Sequence, residues 1–142
     1  METPEFKTVG IVGTGAMGRG IAQIAAQAGS TVLLFDTQAQ AIAKAGESIA
    51  AQWDKLVEKG RLSREAADAQ RARLRPAAAL ADLSACDLVV EAIVERLDVK
   101  QKLFGELEGI VQPSAVLATN TSSLSVTAIA AALQRPAQFA GY

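Results

Sequence analysis

A chain of 142 residues, half of them apolar and with a formal net charge of −1, has the length of one domain and enough apolar content for a core. That charge gives no electrostatic case for nucleic acid or an anionic membrane. The single Cys86 excludes an internal disulfide and fits a reducing, cytoplasmic setting.

No signal peptide is read, and no apolar run approaches the ~20 residues of a membrane span. No histidine is present. That limits the acid–base chemistry open to the chain near neutral pH, and no metal site is expected.

Met1 to Glu5 is polar and reads as a short frayed tail. Thr8 to Val12 is a β-branched run ending before Gly13, the pattern of a buried strand. Ala16 to Ala28 is apolar nearly all round and reads as a helix, with Gly29 placed to end it. Thr31 to Phe35 is a second buried strand, closed by Asp36. A strand, a helix and a strand within ~30 residues predict a right-handed βαβ unit.

Ile42, Ala45, Ile49, Trp53 and Leu56 then recur at three- and four-residue steps, one apolar stripe along a long helix. Gly60 interrupts it. Ser63 is the expected N-cap of a second helix running to about Leu74. A third strand is weakly signalled from Arg75 to Leu80, and Pro76 confines it to an edge or a strand start.

Asp87 to Ile93 predicts a strand. Asp98 to Val111 predicts a helix with Leu103, Leu107 and Val111 on one face, and Pro113-Ser114 a turn. Ala115 to Thr119 is the next strand, Asn120 to Ser123 a polar loop, and Ser125 to Leu133 a short helix. Phe139 to Tyr142 opens a further strand. The alternation predicts an α/β fold of the Rossmann type: a doubly wound, mainly parallel sheet with a helical hairpin after the second strand. With no repeat or low-complexity linker, residues 1–142 read as one dinucleotide-binding domain.

Gly13-Thr14-Gly15-Ala16-Met17-Gly18 is a G-x-G-x-x-G sequence placed between a strand and a helix, the context that gives it meaning. Gly13 allows a sharp turn. Gly15 leaves room for a pyrophosphate, and Gly18 allows close helix–strand packing. The backbone at Ala16 and Met17 opens the helix, where N–H groups and the dipole favour anions. Asp36, 18 residues past Gly18, is placed to accept hydrogen bonds from ribose hydroxyls and to repel a 2′-phosphate. No lysine or arginine lies between it and Lys44, so NAD is expected over NADP.

Five stretches together resemble the NAD-binding domain of the L-3-hydroxyacyl-CoA dehydrogenases, which include the 3-hydroxybutyryl-CoA and 3-hydroxyadipyl-CoA enzymes. They are Gly13 to Ala22, Asp87 to Glu95, Val99-Lys100, Asn120 to Leu124 and Phe139 to Tyr142. The resemblance implies that Glu95 and Lys100 border the nicotinamide side of the cofactor. It implies Asn120 near the nicotinamide ribose and the reacting centre, and Ser122 in contact with the substrate's 3-oxygen. The hairpin from Thr37 to about Leu74 would border the CoA nucleotide, with Lys59 near its tip as a phosphate contact.

From the residues alone, Glu95 with Lys100 also reads as a solvated pair, Asn120 to Ser123 as a helix cap and Lys59 as a surface lysine. In the resembled family a catalytic histidine follows the stretch matching Phe139 to Tyr142. Its glutamate partner and a helical dimerisation domain come later. The chain is therefore expected to be an N-terminal domain that binds NAD without turnover, the parent acting on acyl-CoA as a homodimer.

Two other readings stay open. One is a β-hydroxyacid dehydrogenase of similar fold, although its serine-glycine-glycine substrate loop is not matched by Asn120-Thr121-Ser122-Ser123. The other is a non-catalytic NAD-binding module.

Overall fold

The computed structural model describes residues 6–93 and 97–119 in full and residues 139–141 by their backbone. The polar tail, residues 94–96, the loop from Asn120, the expected helix Ser125 to Leu133 and Tyr142 lie outside the described residues.

The chain forms β1 (Thr8–Val12), α1 (Ala16–Ala28), β2 (Thr31–Phe35), α2 (Ala39–Glu58), α3 (Arg64–Ala72), β3 (Leu74–Pro76), β4 (Leu88–Glu91), α4 (Leu97–Ile110), β5 (Val116–Thr119) and β6 (Phe139–Gly141). The six strands lie in the order β3-β2-β1-β4-β5-β6, and every pairing is parallel. The register sets Phe35, Val12, Glu91, Thr119 and Gly141 in one row at the carboxyl edge of the sheet.

Alternation along the strands divides the core between the two faces. Val9, Ile11, Val32, Leu34 and Val90 pack against Ala22 and Ala26 of α1 and Ala45, Ile49 and Trp53 of α2. Val12, Val89 and Leu117 pack on the other face against Leu83 and against Phe104, Leu107 and Val111 at the end of α4. Helices from adjacent β1 and β4 thus leave toward opposite faces, which makes the β1–β4 boundary the topological switch point of the sheet. The helical stripe read from the sequence is the buried face of α2, with Trp53 only 1% exposed.

Helix ends follow local chemistry. Gly29 closes α1 with φ +108°, a left-handed cap that suits glycine. Ser63 caps α3 as expected, its hydroxyl accepting from the Ala66 N–H at 3.1 Å. That helix stops at Ala72, short of Leu74, because the Arg73 carbonyl accepts from the Val32 N–H at 2.8 Å.

The third strand is shorter than Arg75 to Leu80 and begins one residue earlier. After Ala77 N–H reaches the Leu34 carbonyl, the Asp82 carboxylate takes the N–H groups of Ala78 and Ala79, so Leu80–Ala85 coils into a 3₁₀ turn instead. Pro76 does sit on an edge strand, where a missing donor is tolerated. The strand expected from Asp87 is confined to Leu88–Glu91. The Asp87 side chain instead accepts from the N–H groups of Lys7 and Thr8, both at 2.9 Å, tying the start of β1 to that of β4.

Candidate nucleotide and nicotinamide site

At the switch point the three glycines do three different things. Gly13 has φ +100°, and a Cβ there would lie 2.8 Å from the Ala92 carbonyl oxygen. Gly18 presses its Cα against the β1 turn, where a Cβ would stand 1.9 Å from the Gly13 carbonyl oxygen. Gly15 is the opposite case. Its backbone is extended, it is exposed, and a Cβ built on it meets nothing within 4 Å.

Gly15 is also the N-cap of α1, with no side-chain cap and no acidic residue in the first turn. The start of the helix at Ala16 and Met17 therefore presents its positive end to open space, which fits a phosphate group.

Asp36 stands at the end of β2 with its carboxylate held in place. Oδ2 accepts from both the N–H and the hydroxyl of Thr14 at 3.0 Å, and Oδ1 accepts from the Gln38 N–H at 3.0 Å. Partial burial works against the charge, but these bonds, with one from the Thr37 N–H, outweigh it. They hold the carboxyl below its ordinary range. The fingerprint turn and Asp36 are thus one hydrogen-bonded unit joined by Thr14. These four donors match the about four acceptor positions of a carboxylate, so a ribose diol would share its oxygens with, or displace, the Thr14 hydroxyl, which can rotate away. Open space over Gly15 and a fixed anion one strand away fit a dinucleotide without a 2′-phosphate.

Lys100 is not a solvated residue. It is 1% exposed, and its Nζ lies 3.2 Å from Oε1 of Glu91, which is fully buried. Oε1 also accepts from the Thr119 hydroxyl, and Oε2 accepts from the Ile93 N–H at 2.6 Å. Glu91 and Thr119 were not among the sequence-predicted site residues. The available signal was a lone acid, Glu91, inside the otherwise apolar run from Leu88 to Ile93. Glu95, Asn120 and Ser122 lie outside the described residues.

Lys59 is exposed directly after α2. At 1.5 Å per residue the helix is ~30 Å long, so this lysine is far from Asp36. Between them a groove of about 220 Å³ separates α1 from α2, lined in part by Arg19, Gln23, Ser48 and Gln52. Ser48, Gln52 and Lys55 follow steps of four and three, so they share one face of α2, and Lys59 caps the end of that helix. A larger groove, about 400 Å³, lies between the first half of α2 and edge strand β3, walled by Leu34, Ile42, Leu74 and Pro76. It contains none of the predicted site residues.

Among the described residues no group of three or more His, Cys, Asp or Glu side chains is arranged to hold a metal ion. No helix among them is long and apolar enough to cross a membrane. Cys86 is buried, and desolvation, with the charge of Asp87, pushes its thiol up to about 12, as befits a core residue.

A parallel sheet in the order 3-2-1-4-5-6, a glycine-rich turn opening α1 at the switch point and an acid closing the neighbouring strand define a Rossmann domain. Residues 8–142 match the family described as 3-hydroxyacyl-CoA dehydrogenase, NAD binding domain, and the chain belongs to that family; its cofactor is NAD.

Among its relatives, the 3-hydroxyadipyl-CoA dehydrogenase of Escherichia coli K12 is 44% identical over 135 residues, covering 95% of this chain and 28% of the relative. A probable 3-hydroxybutyryl-CoA dehydrogenase of Deinococcus radiodurans is 45% identical over 132 residues, covering 93% and 47%. The crystal structure of a 3-hydroxybutyryl-CoA dehydrogenase from E. coli K12 superposes with a TM-score of 0.93 at 43% identity, over 96% of this chain and 29% of that one. The chain thus spans half or less of the length of these relatives.

Proposed function

We propose that this domain serves an enzyme interconverting (3S)-3-hydroxyacyl-CoA and 3-oxoacyl-CoA. NAD, when bound, supplies the hydride acceptor, and the protein supplies binding and orientation. The observation that carries the reading is the open space over Gly15 beside the anchored Asp36, in a chain of this family.

Gly13, Gly15, Ala16, Met17 and Gly18 would cradle the pyrophosphate, and Asp36 would hold the adenosine ribose. Glu95 and Lys100 would border the nicotinamide half. Asn120 and Ser122 would place the substrate's 3-oxygen for transfer. A polar groove between α1 and α2 is lined by Arg19, Gln23, Ser48 and Gln52, and Lys55 and Lys59 follow further along the chain; this supports a CoA chain laid along α2 with a phosphate at its basic end.

The hydroxyl proton needs a base. The sequence holds no histidine, and serine is a poor base near neutral pH. We place that base, a histidine oriented by a glutamate, outside residues 1–142, along with the surface of a homodimer. Loss of a general base alone is worth ~10²–10⁴ in rate.

The test is acetoacetyl-CoA reduction followed at the NADH absorbance, run beside a full-length relative, with NADH binding measured separately. The chain should bind NADH and show no turnover. Turnover within about ten-fold of the full-length enzyme would place the base among these residues. No NADH binding would refute the cradle itself.

A further inference from the structure

We infer that Glu91 is a positioning residue for the nicotinamide half of the cofactor, an inference that rests on the dinucleotide reading above. Its carboxylate is fully buried at the end of β4, on the carboxyl edge of the sheet and beside the switch point. It holds three elements at once: the Ile93 N–H in the chain after β4, the Thr119 hydroxyl at the end of β5 and the Lys100 ammonium in the first turns of α4.

These partners sit at informative places in the chain. Ile93 and Lys100 flank the segment that carries Glu95. Thr119 immediately precedes Asn120, and Ser122 follows two residues later. One buried anion therefore anchors the attachment points of both segments expected at the nicotinamide. Ala92, between Glu91 and Ile93, is also the group that the Gly13 turn packs against.

A buried charge is retained only where its partners are fixed, and loss of one partner leaves the other exposed to the full desolvation cost. The ion pair thereby converts strand ends, which are free to fray in an open sheet, into a fixed frame. The adenine half has its own anchor, the Thr14–Asp36 pair, which shares none of the hydrogen bonds described around Glu91. Perturbing Glu91 should therefore separate the two halves of the cofactor.

The experiment is titration of the chain with NAD and with ADP, which keeps the adenine half and lacks the nicotinamide riboside, alongside a thermal melt. Wild type should prefer NAD. Glu91→Gln should weaken NAD by about ten-fold or more while ADP stays within about two-fold, the scale of one lost hydrogen bond to a charged group. Equal loss of both ligands, or an unchanged ratio in a folded variant, would overturn the inference.

Thr119→Val removes one hydrogen bond and keeps both charges, so it carries the same test if Glu91→Gln does not fold. NAD alone should weaken by about three-fold, and an unchanged ratio would again overturn the role. A wild-type chain that binds neither ligand would refute the dinucleotide reading itself, whereas equal wild-type affinity for NAD and ADP would refute only the nicotinamide-side role of Glu91.

Discussion

Gly15→Val separates ligand space from fold space. At Gly15 the backbone has φ −70° and ψ −171°, a conformation open to any residue, and an added Cβ meets no protein atom within 4 Å. The folded chain should therefore change little: loss of a glycine N-cap and the reduced freedom of the unfolded chain oppose one another, leaving a net change within ~1 kcal/mol. Binding should suffer, because the side chain occupies the place of the pyrophosphate. Loss of two charge-assisted hydrogen bonds from the helix start costs ~3–6 kcal/mol, or roughly 10²–10⁴ in affinity.

Gly18→Ala is the internal contrast, since its Cβ would stand 1.9 Å from the Gly13 carbonyl oxygen. Backbone must move to admit it, so this variant should lose ~1–3 kcal/mol or more and melt several degrees lower. Circular dichroism melts and calorimetric titration with NAD would be run on both. The reasoning fails if Gly15→Val binds NAD within about three-fold of wild type, or if it melts as low as Gly18→Ala.

Asp36 should favour NAD over NADP by ~2–4 kcal/mol, with solvent screening lowering the Coulomb part, and Asp36→Ala should collapse that preference in parallel titrations. Because its folded pKa is depressed, its contribution to stability is present above the ordinary value of 3.8 and lost as pH falls through the lower folded value. The melting difference between wild type and Asp36→Asn should accordingly be flat from about pH 8 to 5 and shrink below about pH 4. Ser122→Ala, made in a protein with the complete active site, should lower kcat/KM for a 3-hydroxyacyl-CoA by roughly ten-fold or more with a smaller effect on NAD affinity; unchanged kinetics would leave Ser122 a helix cap. Cys86, buried and with its thiol pushed up to about 12, should resist alkylation in the native chain at pH 8 and react fully in denaturant. Rapid native labelling would show that the β4 side of the core opens.

Much of the architecture was legible because its causes are local. The βαβ unit follows from two buried runs around an alanine-rich helix. The bounds of α1 and β2 coincide with Ala16 to Ala28 and Thr31 to Phe35 because Gly29 and Asp36 end them chemically. Ser63 announced its cap, and Pro76 announced an edge. The glycine turn before α1 and the place of Asp36 at the end of β2 were also readable, since their spacing is tied to one turn and one strand.

The rest depended on partners distant in sequence. Nothing local says that β3 ends at Pro76; the Asp82 carboxylate drawing on Ala78 and Ala79 decides it. Lys100 reads equally well as a solvated lysine or a site residue until packing buries it against Glu91. Glu91 itself reads only as a lone acid within the strand run from Asp87 to Ile93. Its role exists because parallel register brings the ends of β4 and β5 side by side while α4 returns a cation to the same point. The sequence by itself determined which strands and turns could form and where α1 would start and stop. Only the tertiary structure decided which charges were desolvated, because burial and ion pairing depend on what the rest of the chain places around each side chain.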